Sequence, residues 1–177
     1  MTRTNRINSR ILAIAPSSHG FGFAVLEGEE KLVDWGVKRV SEDKNRQSLL
    51  RVAELIAYYL PAKLVVEDCS TKGCRRSARI RALIQQVKTL ADQRKLAVRS
   101  FSRLKVKALL CPGGPCTKHD IAEFLTNGFP EELDSRLPPK RRPWMSEDGR
   151  MDIFDAVSLA LAFLSSKKKR ATETSRK

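Results

Sequence analysis

The strongest constraint on this chain is the way the spacing of its apolar residues changes along it. Residues 11–15 (ILAIA), 20–26 (GFGFAVL) and 32–40 (LVDWGVKRV) are short strand-type runs, separated by the turn signals Pro16-Ser17-Ser18 and Glu27-Gly28-Glu29. Three consecutive strands with short links form an antiparallel meander, and the glycines of the second run suit close backbone approaches. From residue 46 the period becomes helical, with Leu49, Val52, Ala53, Ile56 and Leu60 on one stripe and Pro61 as the stop. KLVVE (63–67) reads as a buried strand. Residues 76–95 return to a helical stripe of Ile80, Leu83, Ile84, Val87 and Leu90, and LAVRSF (96–101) is another strand. Strands that alternate with helices imply parallel crossovers. Ser102 and Thr117 are placed as N-caps of two further helices, the second with Asp120 at the third helical position. Residues 128–149 hold Pro130, Pro138, Pro139, Pro143 and Gly149 and read as a long irregular segment. An amphipathic helix over about 150–166 closes the chain. The fold class is α/β, with a mixed five-stranded sheet (a three-strand antiparallel meander plus parallel βαβ units) flanked by helices.

Composition narrows the function. The chain has 177 residues, 41% of them hydrophobic, enough for one core and too many for wholesale disorder. No apolar run has the length of a membrane span, and residues 1–10 lack the apolar centre of a secretory signal. The expectation is a soluble, cytoplasmic protein with no membrane partner, in which the four Cys are reduced. Three parts are expected: a basic flexible N-terminus (1–10), one domain (11–166) and a basic disordered tail (167–177). The net charge of +14 is uneven, because residues 72–107 hold twelve Lys/Arg against the single acid Asp92. A polyanion such as DNA or RNA is the natural partner of that stretch; a solvated helix face is the plainer alternative.

Three acids stand out. Glu67 ends the buried strand 63–67, where a carboxylate costs desolvation unless a partner or metal meets it. Asp152 and Asp155 are spaced i, i+3 and share one helix face. As a set they can hold Mg²⁺ or Mn²⁺, hard cations suited to phosphodiester hydrolysis. Asp152 can equally serve the helix dipole at its first turn.

The order of these parts resembles that of RuvC-type Holliday-junction resolvases, within the ribonuclease H-like superfamily. The resemblance covers residues 10–165. It is carried by ILAIAPSS (11–18) followed by GFAV (22–25), by LVVED (64–68), by VRSFSRLKVKALLCPGGPCTKHDIAEF (98–124) and by MDIFDA (151–156). It implies a metal-dependent endodeoxyribonuclease that resolves branched DNA as a homodimer, with a two-metal site held by Glu67, Asp152 and Asp155. It places Lys107 and Lys118 near the scissile phosphate, Lys118 stabilising developing charge, and Lys105, Arg75, Arg76 and Arg79 on surfaces that meet DNA. At the position of the family's first catalytic acid stands Ala15, whose methyl group ligates nothing. An engineered Asp-to-Ala change, a natural relative that binds without cutting, or substitution by Asp68, Glu147 or Asp148 would each account for it. A basic RNA- or ribosome-associated protein of the same fold is a further reading.

Other residues carry weaker signals. Cys69/Cys74 and Cys111/Cys116 are equally spaced pairs; isolated thiols are preferred over a shared Zn²⁺ site, and the second pair is also close enough for a redox couple. His19 follows the first strand and can face phosphate. Trp144 beside Lys140, Arg141 and Arg142 either anchors its loop on the core, the preferred reading, or stacks on bases. Phe21, Phe23 and Trp35 are expected in the core.

Overall fold

The computed structural model describes residues 10–28 and 31–174. Strands β1 (Arg10–Ser17), β2 (Gly20–Glu27) and β3 (Lys31–Arg39) form the expected meander. Strands β4 (Lys63–Glu67) and β5 (Ala97–Phe101) add in parallel beyond β1, so the order is β3-β2-β1-β4-β5. The flexible start expected for residues 1–10 lies outside the described residues except for Arg10, as does Glu29 of the second turn signal.

Strand alternation sends β1 side chains to two different cores. Leu12 and Ile14 pack with Leu64 and Val66 under helices α1 (Lys44–Tyr59) and α2 (Ala78–Gln93). Ile11, Ala13 and Ala15 point to the other face, where they meet Val65 and the closing helix α6 (Met151–Thr174), flanked by α3 (Arg103–Leu110) and α4 (Lys118–Gly128). With both faces covered, β1 has no polar side of its own.

Two details of this packing position the carboxylates. The β1–β4 register pairs Ile14 with Val66, which sets Ala15 beside Glu67 at the carboxyl ends of neighbouring strands. Gly22 pairs with Ala15 across the hairpin, and a Cβ at Gly22 would lie 1.9 Å from the Asp152 carbonyl oxygen. The start of α6 therefore rests directly on β2 backbone, and only glycine leaves room for it.

The Ser102 and Thr117 caps follow the sequence reading, and Ser77 adds a cap that it did not name. Ser77 and Ser102 accept hydrogen bonds from Ile80 N and Lys105 N, and Thr117 with Asp120 forms a reciprocal capping box. Phe21 and Phe23 are core residues, and Trp35 packs half-buried against the core.

Three local expectations change. Pro16 and Ser17 belong to β1 and not to the turn, which tightens to Ser18-His19 before Gly20 at φ +142°. Pro16 lies past the last β1–β4 pair, so its missing N–H costs no ladder bond on that side. The segment expected to be irregular contains α5 (Pro130–Leu133) and a 3-10 turn (Asp134–Arg136), begun by a proline at the first helical position, where its missing donor is harmless. The closing helix runs to Thr174, so most of the tail expected to be disordered is helical. Lys, Arg and Ala extend a helix already nucleated in the core at little cost, and Lys167 Nζ sits 5.0 Å from the Phe163 ring centre one turn back. Among the described residues no helix is long and apolar enough to cross a membrane.

Gly22→Ala is expected to destabilise the fold by about 3 kcal/mol, because the new methyl must push the α6 backbone off the sheet. Urea denaturation measures this directly, and an unchanged midpoint would refute the close-approach argument.

Candidate active-site cleft

A cleft of about 190 Å³ opens where the carboxyl ends of β1 and β4 meet α3, α4 and α6. Ala15 forms part of its floor, and Glu67, Arg76, Arg103, Lys118 and Asp155 line it. The parallel register and the helix period thus bring two of the three expected acids to one place.

Those acids are held by the chain's own cations. Glu67 is only 5% exposed. Its Oε2 accepts from Arg76 Nε at 2.9 Å and Nη2 at 2.6 Å, and its Oε1 accepts from Arg103 Nε at 3.1 Å. Arg103 also reaches Asp155, with Nη2 3.9 Å from Oδ2. Lys118 Nζ donates to Asp155 Oδ2 at 2.8 Å and to Glu147 Oε1 at 2.6 Å. Burial opposes the charge of Arg76, but its bonds to Glu67 outweigh burial and hold the guanidinium above its ordinary pKa.

Asp152 is different. It does not line the cleft, and the Ser17 hydroxyl bonds its carboxylate. Burial raises its pKa most; the Ser17 bond and Lys118 oppose this, and the nearby charges of Asp155 and Glu147 add to it. Asp152 is thus the acid of the three with the least compensation by cations.

This arrangement does not fit a divalent metal. Ala15 supplies no oxygen, both Glu67 oxygens are occupied by guanidinium N–H groups, and Asp155 is shared between Lys118 and Arg103. No group of three or more acidic, His or Cys side chains able to hold a metal ion is formed among the described residues. Of the acids Glu67, Asp152 and Asp155 expected to hold Mg²⁺ or Mn²⁺, the structure pairs Glu67 and Asp155 with cations of the chain and hydrogen-bonds Asp152 to Ser17. Of the three possible substitutes for the acid missing at Ala15, only Glu147 reaches the cluster, through Lys118. Asp68 is turned to Ser70, whose side chain and backbone bonds lower its pKa, and Asp148 is held by Arg150, which lowers its pKa in the same way.

No protein-family model matches the chain, and no curated protein matches it in sequence. Solved structures do match. RuvC of Thermus thermophilus superposes with a TM-score of 0.68 at 19% identity, over 90% of this chain and 96% of that one. T. thermophilus RuvC in complex with Holliday junction substrate gives 0.67 at 19% identity, over 91% and 96%. The yeast mitochondrial Holliday junction resolvase gives 0.62 at 15% identity, over 89% of this chain and 78% of that one. The chain has a RuvC-like fold.

Within this RuvC-like fold the other predicted residues scatter. Lys107 lines the cleft, and Lys105 is exposed on the same helix. Arg75 is exposed at the rim of a second, adjoining cleft of about 270 Å³, which Lys72, Arg76, Arg103 and Leu104 also line. Arg79 has an internal duty, donating to the Ser17 and Ser18 carbonyls at 3.1 and 3.4 Å and to Asn45 Oδ1 at 3.1 Å. It ties the β1–β2 turn to α1. His19 is exposed at the tip of that turn. Arg103 and Ser17 were not legible as site residues: one looks like any basic residue after an N-cap, the other like a turn serine.

The cysteines separate into two pairs that do not meet. Cys111 and Cys116 are joined as a disulfide, against the expectation of free thiols, because the Pro112-Gly113-Gly114-Pro115 loop brings their Cα atoms to 6.5 Å. Cys69 and Cys74 remain thiols hydrogen-bonded to each other, and burial foremost pushes Cys69 up to about 12, which keeps it protonated. Trp144 is 76% exposed, so the expectation that it anchors its loop on the core is overturned.

Arg76→Ala should destabilise the fold by about 3 kcal/mol by leaving Glu67 buried with one weaker partner, and adding Glu67→Gln should recover most of that loss. A double-mutant cycle by chemical denaturation tests this, and additive losses would refute the clasp. Asp152→Asn should raise the melting temperature by a few degrees at pH 7. The folded-state pKa of Asp152 is raised, so the charged form carries a cost at neutral pH that disappears as pH falls through that pKa. Melting scans should show the gain shrinking toward acid pH; a gain that grew there would have the wrong sign.

Proposed function

We propose that this chain binds branched DNA of the Holliday-junction type and does not hydrolyse it. One observation carries the second half: Glu67 is clasped by Arg76 and Arg103 beside the methyl group of Ala15. A cation entering there must displace two guanidinium groups from a buried carboxylate and then finds no acid on the first strand. The missing carboxylate and the displaced ion pairs both weaken metal binding, and each penalty is of the size that removes catalysis.

The first half rests on the fold and the charge. The two adjoining clefts are lined by Lys72, Arg75 and Lys107 among other cations, and exposed cations along a cleft suit a phosphate backbone. The structurally similar T. thermophilus RuvC has been solved with a Holliday junction substrate. Arg75, Lys105 and Lys107 contact phosphates in this reading, while Arg76 and Lys118 shape the floor. A homodimer suits a junction because its two-fold axis matches that of the DNA.

The test is a gel shift at fixed salt with a synthetic four-way junction, the matching duplex and single-stranded RNA, followed by incubation with Mn²⁺ or Mg²⁺. Tighter binding to the junction, with no nicked product, is expected. Nicking by the native chain would restore the nuclease reading, and equal or RNA-favoured binding would point to an RNA-associated protein. Ala15→Asp locates the block. If that variant cuts, the missing acid alone prevents cleavage; if it also leaves the junction intact, the guanidinium clasp does. Arg75→Ala with Lys105→Ala should reduce the slope of log affinity against log salt by about 2.

A further inference from the structure

We propose that Trp144 is a stacking platform for an unpaired DNA base at the branch point. The inference rests on the DNA-binding reading above and adds to it a ligand group and a residue.

Indole is costly to leave in water, and a Trp at 76% exposure on a folded segment is an unpartnered apolar surface. The local backbone holds it there. Met145 N donates to Arg142 O at 3.0 Å, which makes Arg142-Pro143-Trp144-Met145 a β-turn with Pro143 and Trp144 at its centre. Proline at the first central position sets φ in advance, so the ring is presented by a stiff turn and little entropy is lost when it is covered. Arg142 packs its guanidinium 5.6 Å from the ring centre, so one face of the indole has a cation beside it.

The chemistry around the ring selects the occupant. Lys140, Arg141 and Arg142 are exposed and consecutive, and they run into the turn without an intervening acid. An aromatic plane flanked by cations matches a nucleobase with its phosphates on either side. Chain connectivity keeps the turn near the first cleft, which Lys118 lines. Glu147 is three residues beyond Trp144 and accepts from Lys118 at 2.6 Å, and three residues span at most about 11 Å. A strand lying along the clefts therefore passes within reach of the ring. Paired bases in a duplex are already stacked and present no free face, so this platform adds affinity only where a base is unstacked, as at a branch or in a single strand.

The test measures binding of a four-way junction, oligo-dT and a blunt duplex to the full chain at one salt concentration, for the native protein, Trp144→Ala and Trp144→Phe. Trp144→Ala should lose roughly tenfold in affinity for the junction and for oligo-dT, with duplex binding unchanged. Trp144→Phe, which keeps a smaller aromatic plane, should recover most of the loss. No loss on oligo-dT overturns the proposal, as does an equal loss on all three ligands, which would mark a contact unrelated to stacking. A change of oligomeric state in Trp144→Ala with oligo-dT binding intact would also overturn it, since the ring would then belong to a protein interface. If the native protein fails to prefer the junction over duplex, the junction reading fails, and the oligo-dT comparison alone decides the role of Trp144.

Discussion

Glu67 is a carboxylate at the end of a central strand, almost closed to water, and it must be compensated where it stands. An isolated buried carboxylate is too costly to survive ionised. Here the compensation comes from two arginines that arrive from different directions, Arg76 from the loop after β4 and Arg103 from the first turn of α3. Each belongs to an element with several conformations open to it as an isolated segment. The shared carboxylate draws them together, and Arg103 and Lys118 extend the network to Asp155 and Glu147. The cleft is in this sense built around one charge.

The same network underlies the proposal that the site binds DNA without hydrolysing it. A metal-dependent hydrolase needs acidic oxygens in excess, poorly neutralised until the metal arrives. In this chain Glu67 and Asp155 are paired to arginine and lysine, and the strand-end position that would supply another oxygen is a methyl group. Cations that do not face the acids, such as Arg75 and Lys107 at the rims, keep their charge available to solvent and to phosphates. One set of basic residues is thus spent on internal compensation, and a second set sets the surface potential. Their positions in the sequence do not distinguish the two sets.

The loops follow a similar division. The Cys111–Cys116 disulfide closes the link between α3 and α4, the helices that carry Lys107 and Lys118, and so fixes two cleft cations relative to each other. The loop before α6 is pinned at one end by Glu147 and Asp148 and leaves Trp144 in water at the other. A composition of prolines, cations and one aromatic is compatible with a loop tucked onto the core and with one that projects. The exposure of Trp144, on a turn closed by the hydrogen bond from Met145 to Arg142, settles it in favour of projection.

What local sequence determined is therefore mainly what depends on neighbours along the chain. Strand and helix periods, the Ser102 and Thr117 caps, the helix stop at Pro61 and the glycine-rich second strand all act over a few residues, and all were readable. The residue types of Glu67 and Asp155 raised their convergence as one reading, but its place beside Ala15 came only from family likeness, because it depends on a β1–β4 register set by side chains far apart in sequence. Which cation meets which acid was not readable at all. Arg76, Arg79 and Arg103 are chemically identical, and their different duties, to a carboxylate, to two carbonyls and to a bridge between acids, are assigned only when the packed core decides what lies within a few ångströms of each.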